Sequence, residues 1–329
     1  MHFVISAYGN SFVGMLTTTL YSVVRTHPED KITVFWQDMD QKLISILEKT
    51  FEQVNFIQTS LDIANDLLVR IASKTLLWER AVHSIPDDKI CLLDSDTLVY
   101  KNISPFFLHD FDVAFTVKPD EWPINTGVML VKKTLAAEKL FTRWREKTLE
   151  VLSNPEMIKE AKSLDFPYGA PDQMSFYQLV AYQNDKAEFQ LVLDDIPVSL
   201  RSFPCAQLNE TRSLPVSKDT YIYHYKGGWR NILVEGDVFT SNRPKLESFG
   251  MYKLYLSTFK DALNELRKHN SNLSEKDLFI SIPIYLEANS LEERKILYVP
   301  YFLWRKVIIV YRVFFKVMKK LAKIFGSHK

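Results

Sequence analysis

Ile90-Cys91-Leu92-Leu93-Asp94-Ser95-Asp96-Thr97-Leu98-Val99 is the stretch on which the fold turns. Its first four residues are apolar without alternation, the pattern of a short strand buried on both faces, as in a sheet covered by helices on each side. Two carboxylates then follow, one residue apart. In open α/β sheets, ligands sit in the crevice outside the carboxyl ends of the strands, and two acidic side chains there can grip one hard divalent cation. Asp38-Met39-Asp40 and Asp110-Phe111-Asp112 have the same spacing. The apolar strand ahead of it, more than the spacing, singles out the 94/96 pair.

On the N-terminal side, residues 2–7, 32–36 and 54–57 read as strands, with amphipathic helical stretches up to residue 24, at 41–50 and at 64–83. On the other side, 113–117 and 127–131 read as strands around a loop at 119–124 that contains Glu121 and Trp122. A helix is expected over 136–152, irregular chain over 154–170, and a helix over 173–181. Strands at 190–193 and 220–225 precede a Gly-rich aromatic turn, Gly227-Gly228-Trp229. The alternation predicts an α/β protein with a Rossmann-like, mixed, mostly parallel sheet flanked by helices. Residues 1–250 read as one domain, 251–297 as a polar helical extension, and 298–329 as a basic amphipathic helix.

Charge divides the chain more sharply than composition does. Of 329 residues, 47% are hydrophobic and 25% charged, which is globular usage. Lys+Arg 41 against Asp+Glu 40 leaves a net +1, so no global field calls for nucleic acid. Residues 294–329 nevertheless hold ten basic side chains and no acidic one, leaving about −9 on the rest of the chain. Over 301–325, Arg305, Arg312, Lys316, Lys319 and Lys323 share one helical face, with Leu303, Val307, Phe314 and Leu321 opposite. Repeated interruption by Lys and Arg excludes a span. An interfacial helix on an anionic leaflet fits, with a helix packed on its own domain or on a dimer partner as the alternative. The N-terminus lacks a basic region and reads as a first strand, not a signal peptide. Two cysteines, Cys91 and Cys205, suit a reducing compartment. The expected location is therefore cytoplasmic, at the inner face of a membrane, and the sequons at Asn102, Asn209 and Asn272 carry no consequence there.

Other chemistry-bearing pieces follow the acidic pair in order. Asn125-Thr126-Gly127-Val128-Met129-Leu130 places an amide and a glycine at the start of an apolar strand, where backbone can approach a ligand closely. Pro171-Asp172-Gln173 opens a helix, so Asp172 reads either as a helix cap or as a group projecting into a cleft. His224-Tyr225-Lys226-Gly227-Gly228-Trp229-Arg230 sets an imidazole at a strand end ahead of two glycines and an arginine. His224 reads as a ligand or as a satisfied core histidine.

This ordered set resembles the GT-A glycosyltransferases of glycosyltransferase family 8, which includes bacterial lipooligosaccharide galactosyltransferases and glycogenin. The resemblance covers about residues 2–231. It implies a GT-A fold, a nucleotide-sugar donor and transfer of a hexose. By position, Asp94, Asp96 and His224 would hold Mn²⁺ or Mg²⁺, the mixed oxygen and imidazole set favouring Mn²⁺. Ala7, Tyr8 and Asn10 match the start of the nucleotide site, and Ser95, Gly127 and Gly227 lie within the matching motifs. Lys74 aligns with a family arginine near the diphosphate. Arg230 stands where the family has lysine, and Asn231 where it has proline. Asn125 and Asp172 would hold the donor sugar, and Gln173 would lie beneath its anomeric carbon. The implied reaction transfers a hexose, with UDP as default nucleotide and with retention, to a saccharide or a lipid-linked glycan such as lipopolysaccharide. A sugar nucleotidyltransferase is the competing enzyme, but Ser6-Ala7-Tyr8-Gly9-Asn10 lacks the Gly-rich basic loop that such enzymes carry after the first strand. A membrane-bound, non-catalytic scaffold is the competing class, kept open by Arg230-Asn231.

Overall fold

The computed structural model describes residues 1–61, 67–118, 123–163, 171–182, 186–211, 216–226 and 249–280. β1 (His2–Tyr8) is buried along its whole length and lies inside the main sheet. Beyond a short turn of 3₁₀ helix, α1 (Val13–Thr26) returns the chain to β2 (Lys31–Gln37), then come α2 (Gln41–Thr50), β3 (Val54–Gln58) and α3 (Leu67–Ser84). β4 (Lys89–Asp94) pairs with β1 on its other edge. β5 (Thr97–Val99), β6 (Val113–Val117) and β7 (Ile124–Lys132) follow, and then the helices α4 (Leu135–Ser153), α5 (Pro155–Ser163) and α6 (Pro171–Val180). β8 (Glu188–Leu193), β9 (Ile196–Pro204), the single turn α7 (Cys205–Leu208), β10 (Ile222–His224) and α8 (Phe249–Arg267) complete the described elements.

Eight strands form one sheet in the order β3-β2-β1-β4-β7-β6-β9-β8. Only β7 and β8 run against the others, so the sheet is mixed and mostly parallel, as expected. The order reverses at β1, with β2 on one side and β4 on the other, which opens a crevice at their carboxyl ends. Alternate residues of each strand feed two cores. On one face, Phe3, Ile5, Val34, Cys91 and Leu93 meet α1, α2 and α8. On the other, Val4, Leu92, Phe115 and Met129 meet α3, α4 and α6.

Three stretches differ from the sequence expectation. β9 reads poorly because Pro197 and Pro204 interrupt its alternation; both are tolerated because they fall at its second and last positions. α5 lies within the stretch expected to be irregular, where Asn154 accepts the backbone N–H of Glu156 at 3.1 Å and Pro155 takes the first turn. α8 begins the stretch read as polar, yet Tyr252, Tyr255, Phe259, Leu263 and Leu266 along it are all buried in the same core as α1. Among the described residues no helix is long and apolar enough to cross a membrane; residues 298–329 lie outside them.

A buried histidine ties the end of α1 to the chain beyond β5. His27 Nε2 accepts the backbone N–H of Ile103 at 3.1 Å, so the fold needs the neutral ring. Burial, reinforced by the chain's amino terminus and opposed by Asp30, lowers its pKa to about 4. An unfolded histidine protonates near pH ~6.5. Between that value and 4 the unfolded chain binds more protons, and stability falls as pH falls. Thermal melts should show Tm dropping by about 3 °C from pH 7 to pH 5, with a shallower slope in His27→Gln. An equal slope in the variant would remove His27 from the account.

Candidate functional site

The acidic pair sits where β4 leaves the sheet, and its backbone is held from two directions. The Thr19 hydroxyl of α1 lies 2.9 Å from the Ser95 carbonyl and 2.6 Å from that of Thr97. β10 pairs antiparallel with β5, which sets His224 opposite Thr97. The next residue, Tyr225, donates its N–H to the Asp96 carbonyl at 2.8 Å and its hydroxyl to the Met251 carbonyl of α8 at 2.8 Å. A three-residue strand is therefore enough to deliver the imidazole, because α1 and α8 fix the chain on both sides of it.

His224, only 2% exposed, has Nε2 at 3.0 Å from Asp96 Oδ1 and 3.7 Å from Asp94 Oδ2. One ligand atom from each of the three lies within 4.8 Å of the others, a spacing that a single metal ion can bridge. Nδ1 is engaged elsewhere, at 2.8 Å from Asn209 Oδ1. Gly127 explains how the three approach so closely. A Cβ there would lie 2.4 Å from His224 Cε1, 2.7 Å from Nδ1 and 2.9 Å from Asp94 Oδ2, so any side chain would push the ligand set apart. The requirement is room, since the backbone is ordinary strand.

Room in β7 comes with an irregularity. Pairing with β6 steps from Phe115–Met129 directly to Thr116–Asn125, which leaves residues 126–128 out of register with β6. Interruptions of this kind re-aim side chains beside ligand sites. Here Thr126 donates to Asp172 Oδ2 at 2.7 Å, while Asn125 Oδ1 accepts the Gly127 N–H at 3.0 Å.

Lys74 of α3 joins the two halves. Its ammonium lies 3.1 Å from Asp94 Oδ1 and 2.9 Å from Asp172 Oδ2, and 4.9 Å from the centre of the Trp78 ring. Burial alone would lower its pKa, but Asp172 and Asp94 outweigh burial and hold it above the ordinary lysine value. Asp172 is 1% exposed and does not serve as a simple cap: its carboxylate turns to Lys74 and Thr126, and its carbonyl accepts the Trp144 indole N–H at 2.9 Å. Three carboxylates outnumber the amines of Lys74 and Lys226 around them, which suits a divalent cation.

Two buried polar atoms at this site have no hydrogen-bond partner among the described residues, Asn125 Nδ2 and Asp172 Oδ1. One is a donor and the other an acceptor. Leaving either unmade costs about 1–3 kcal/mol, so each calls for a polar partner, water or a ligand hydroxyl. The donor set and these two atoms fit a divalent cation beside a polyol.

Of the remaining expected residues, Ala7 and Ser95 are buried beside the crevice, and Tyr8 ends β1 in the core on the α3 side. Asn10 Oδ1 accepts the Asp40 N–H at 2.6 Å, which joins the turn after β1 to the start of α2. Gln173 is half-buried in the first turn of α6. Gly227 and Arg230 lie outside the described residues, as do Glu121, Trp122 and Trp229. Sequence reading passed over Thr19, Asn209, Thr126 and Lys226. For Asn209 the only available signal was a sequon, which points to the surface, whereas the residue is fully buried. Lys226 lies two residues beyond His224; burial lowers its pKa, Lys118 lowers it further, and Cys205, Asp94 and Asp96 oppose.

No protein-family model matches the chain, and no curated protein matches it in sequence. Among solved structures it is similar to the glycosyltransferase GlyE of Streptococcus pneumoniae TIGR4, at 16% identity and a TM-score of 0.52, over 82% of this chain and 64% of GlyE. The chain thus spans somewhat less than two thirds of GlyE. The galactosyltransferase LgtC, crystallised with donor and acceptor sugar analogues, aligns at 13% identity and a TM-score of 0.47, over 79% of this chain and 96% of LgtC. The architecture is the GT-A fold.

Proposed function

We propose that this chain is a metal-dependent glycosyltransferase that moves a hexose from a nucleotide-diphosphate sugar, with UDP as the nucleotide, to a saccharide or glycolipid acceptor. The observation that carries the reading is the convergence of Asp94, Asp96 and His224 beside two orphaned polar atoms in the crevice at the carboxyl ends of β1 and β4. A divalent cation held by that trio, Mn²⁺ before Mg²⁺, supplies a Lewis acid for the negative charge that develops on a departing diphosphate.

The chain's own residues take the other roles. Asn125 Nδ2 donates to, and Asp172 Oδ1 accepts from, hydroxyls of the donor sugar. Lys226, in which Asp94 and Asp96 oppose the effect of burial, would meet the phosphates. Gln173 stands next to Asp172 and presents a neutral carboxamide, a poor nucleophile, to the anomeric centre. A front-face route with retention follows, in which the carboxamide steadies the oxocarbenium-like centre and the leaving phosphate oxygen takes the acceptor proton. The ten basic residues of 294–329, facing a chain of opposite net charge, support an acceptor presented at the cytoplasmic surface of an anionic membrane.

Calorimetric titration of UDP tests the reading. Binding is expected in Mn²⁺ and is expected to vanish in EDTA. Folded protein that binds UDP equally in both overturns the metal dependence. Absence of binding in either condition, with GDP or CMP binding instead, overturns the choice of nucleotide.

A further inference from the structure

The hydrogen bond on the far side of His224 belongs to a chain whose direction is fixed at one end by a backbone carbonyl. The Asn125 carbonyl can only accept, and the Thr116 hydroxyl donates to it at 2.8 Å. That commits the single Thr116 proton, so its oxygen must accept from Asn209 Nδ2, at 2.7 Å. The Asn209 amide is thereby oriented, and its oxygen faces His224 Nδ1 at 2.8 Å. An oxygen there requires Nδ1 to carry a hydrogen. Thr116, Asn125, Asn209 and His224 are all buried, so water cannot replace a missing member. The Cys205 thiol also bonds to Thr116; burial, partly opposed by that bond, pushes its pKa up to about 11, which keeps it a thiol.

We infer that Asn209 is a positioning residue that fixes His224 in the tautomer protonated at Nδ1, leaving the Nε2 lone pair for a divalent cation shared with Asp94 and Asp96. The inference deepens the metal-site reading above and rests on it, because Nε2 also faces an acceptor, Asp96 Oδ1 at 3.0 Å, and a cation between them is what leaves that nitrogen unprotonated. The neutral ring with its hydrogen on Nε2 would present no lone pair to a metal at that position. The chain also joins His224 to the backbone of Asn125, so the metal ligand and the sugar-facing amide share one rigid connection.

Mn²⁺ titration of the full chain and ¹⁵N spectroscopy of its histidine rings test this together. Asn209→Leu removes the acceptor and should weaken Mn²⁺ binding by about 10–100-fold. Asn209→Asp gives up the Thr116 bond but keeps an acceptor for Nδ1–H, and should lose clearly less Mn²⁺ affinity than Asn209→Leu. Thr116→Val frees the amide to turn and should fall between them. With diamagnetic Mg²⁺ bound, the His224 ring should carry its hydrogen on Nδ1 and coordinate through Nε2 in the parent and in Asn209→Asp, and this state should be depleted in Asn209→Leu. Equal losses of Mn²⁺ affinity in the Leu and Asp variants would mark mere packing and overturn the proposal, as would a Mg²⁺-loaded parent whose His224 ring is protonated at Nε2. If Asn209→Leu does not fold, Thr116→Val and Asn209→Asp decide it, and equal affinity and ring state in these two overturn it. A folded parent that binds neither Mn²⁺ nor Mg²⁺ would overturn the metal site itself.

Discussion

Replacing Asp94 and Asp96 together by asparagine is expected to abolish Mn²⁺ binding and to lower turnover of a UDP-hexose donor by a factor on the order of 10³ or more. The substitution keeps shape and hydrogen-bonding capacity while removing two negative charges from a cluster that also contains Asp172 and Lys74. A hard cation is held by charge and oxygen together, and amide oxygens alone do not offset its dehydration. Transition-state stabilisation by such a cation is worth several kcal/mol, which corresponds to the expected loss. Folding should survive, because Lys74 keeps Asp172 as a partner at 2.9 Å and His224 keeps Asn209. The measurement is turnover by released UDP, with Tm in EDTA as the control. Metal-dependent turnover within tenfold of the parent, in a folded variant, would remove the two carboxylates from the chemistry.

The acidic pair was legible because its strand could be read on its own. Ile90-Cys91-Leu92-Leu93 is apolar because β1 and β7 flank it and helices cover both faces, and a strand so enclosed has one wet end, at Asp94. Asn125, Asp172 and His224 were legible by the same logic, each at an element's end. What escaped the sequence was reach across the fold. Lys74 and Asp172 are brought within 2.9 Å by α3 and α6 packing on one face, and Asn209 meets His224 only after the short turn α7 carries the chain back beside β10. Asn209 and Thr19 resemble ordinary surface polar residues in sequence, and become informative only once buried against a ligand or a loop. β9 was missed for a different reason, since its two prolines mimic a turn unless its pairing with β8 and β6 is known.

Lys74→Met is expected to destabilise the metal-free protein by about 3–5 kcal/mol, lowering Tm by about 4–7 °C. Methionine keeps an unbranched stem against Trp78 but removes the only cation paired with Asp172 among the described residues. The Asp172 carboxylate would then stay buried with Thr126 on one oxygen and nothing on the other. Removing that charge as well, in Lys74→Met/Asp172→Asn, should recover a substantial part of the loss, and with Asp172→Asn alone the cycle gives the coupling between the two residues. The same substitution acts in the opposite direction on the metal. Lys74 holds Asp94 Oδ1 at 3.1 Å and places a positive charge beside the cation's position, so without it Mn²⁺ should bind more tightly and raise the variant's Tm further than the parent's. A purely structural lysine would give the destabilisation without this excess gain from Mn²⁺. Equal Tm gains in parent and variant would therefore separate Lys74 from the metal site, and an unchanged Tm in EDTA would remove the buried ion pair as a source of stability. If both expectations hold, Lys74 serves in the metal-free protein as an internal counter-cation to Asp94 and Asp172, one whose charge a bound divalent ion works against.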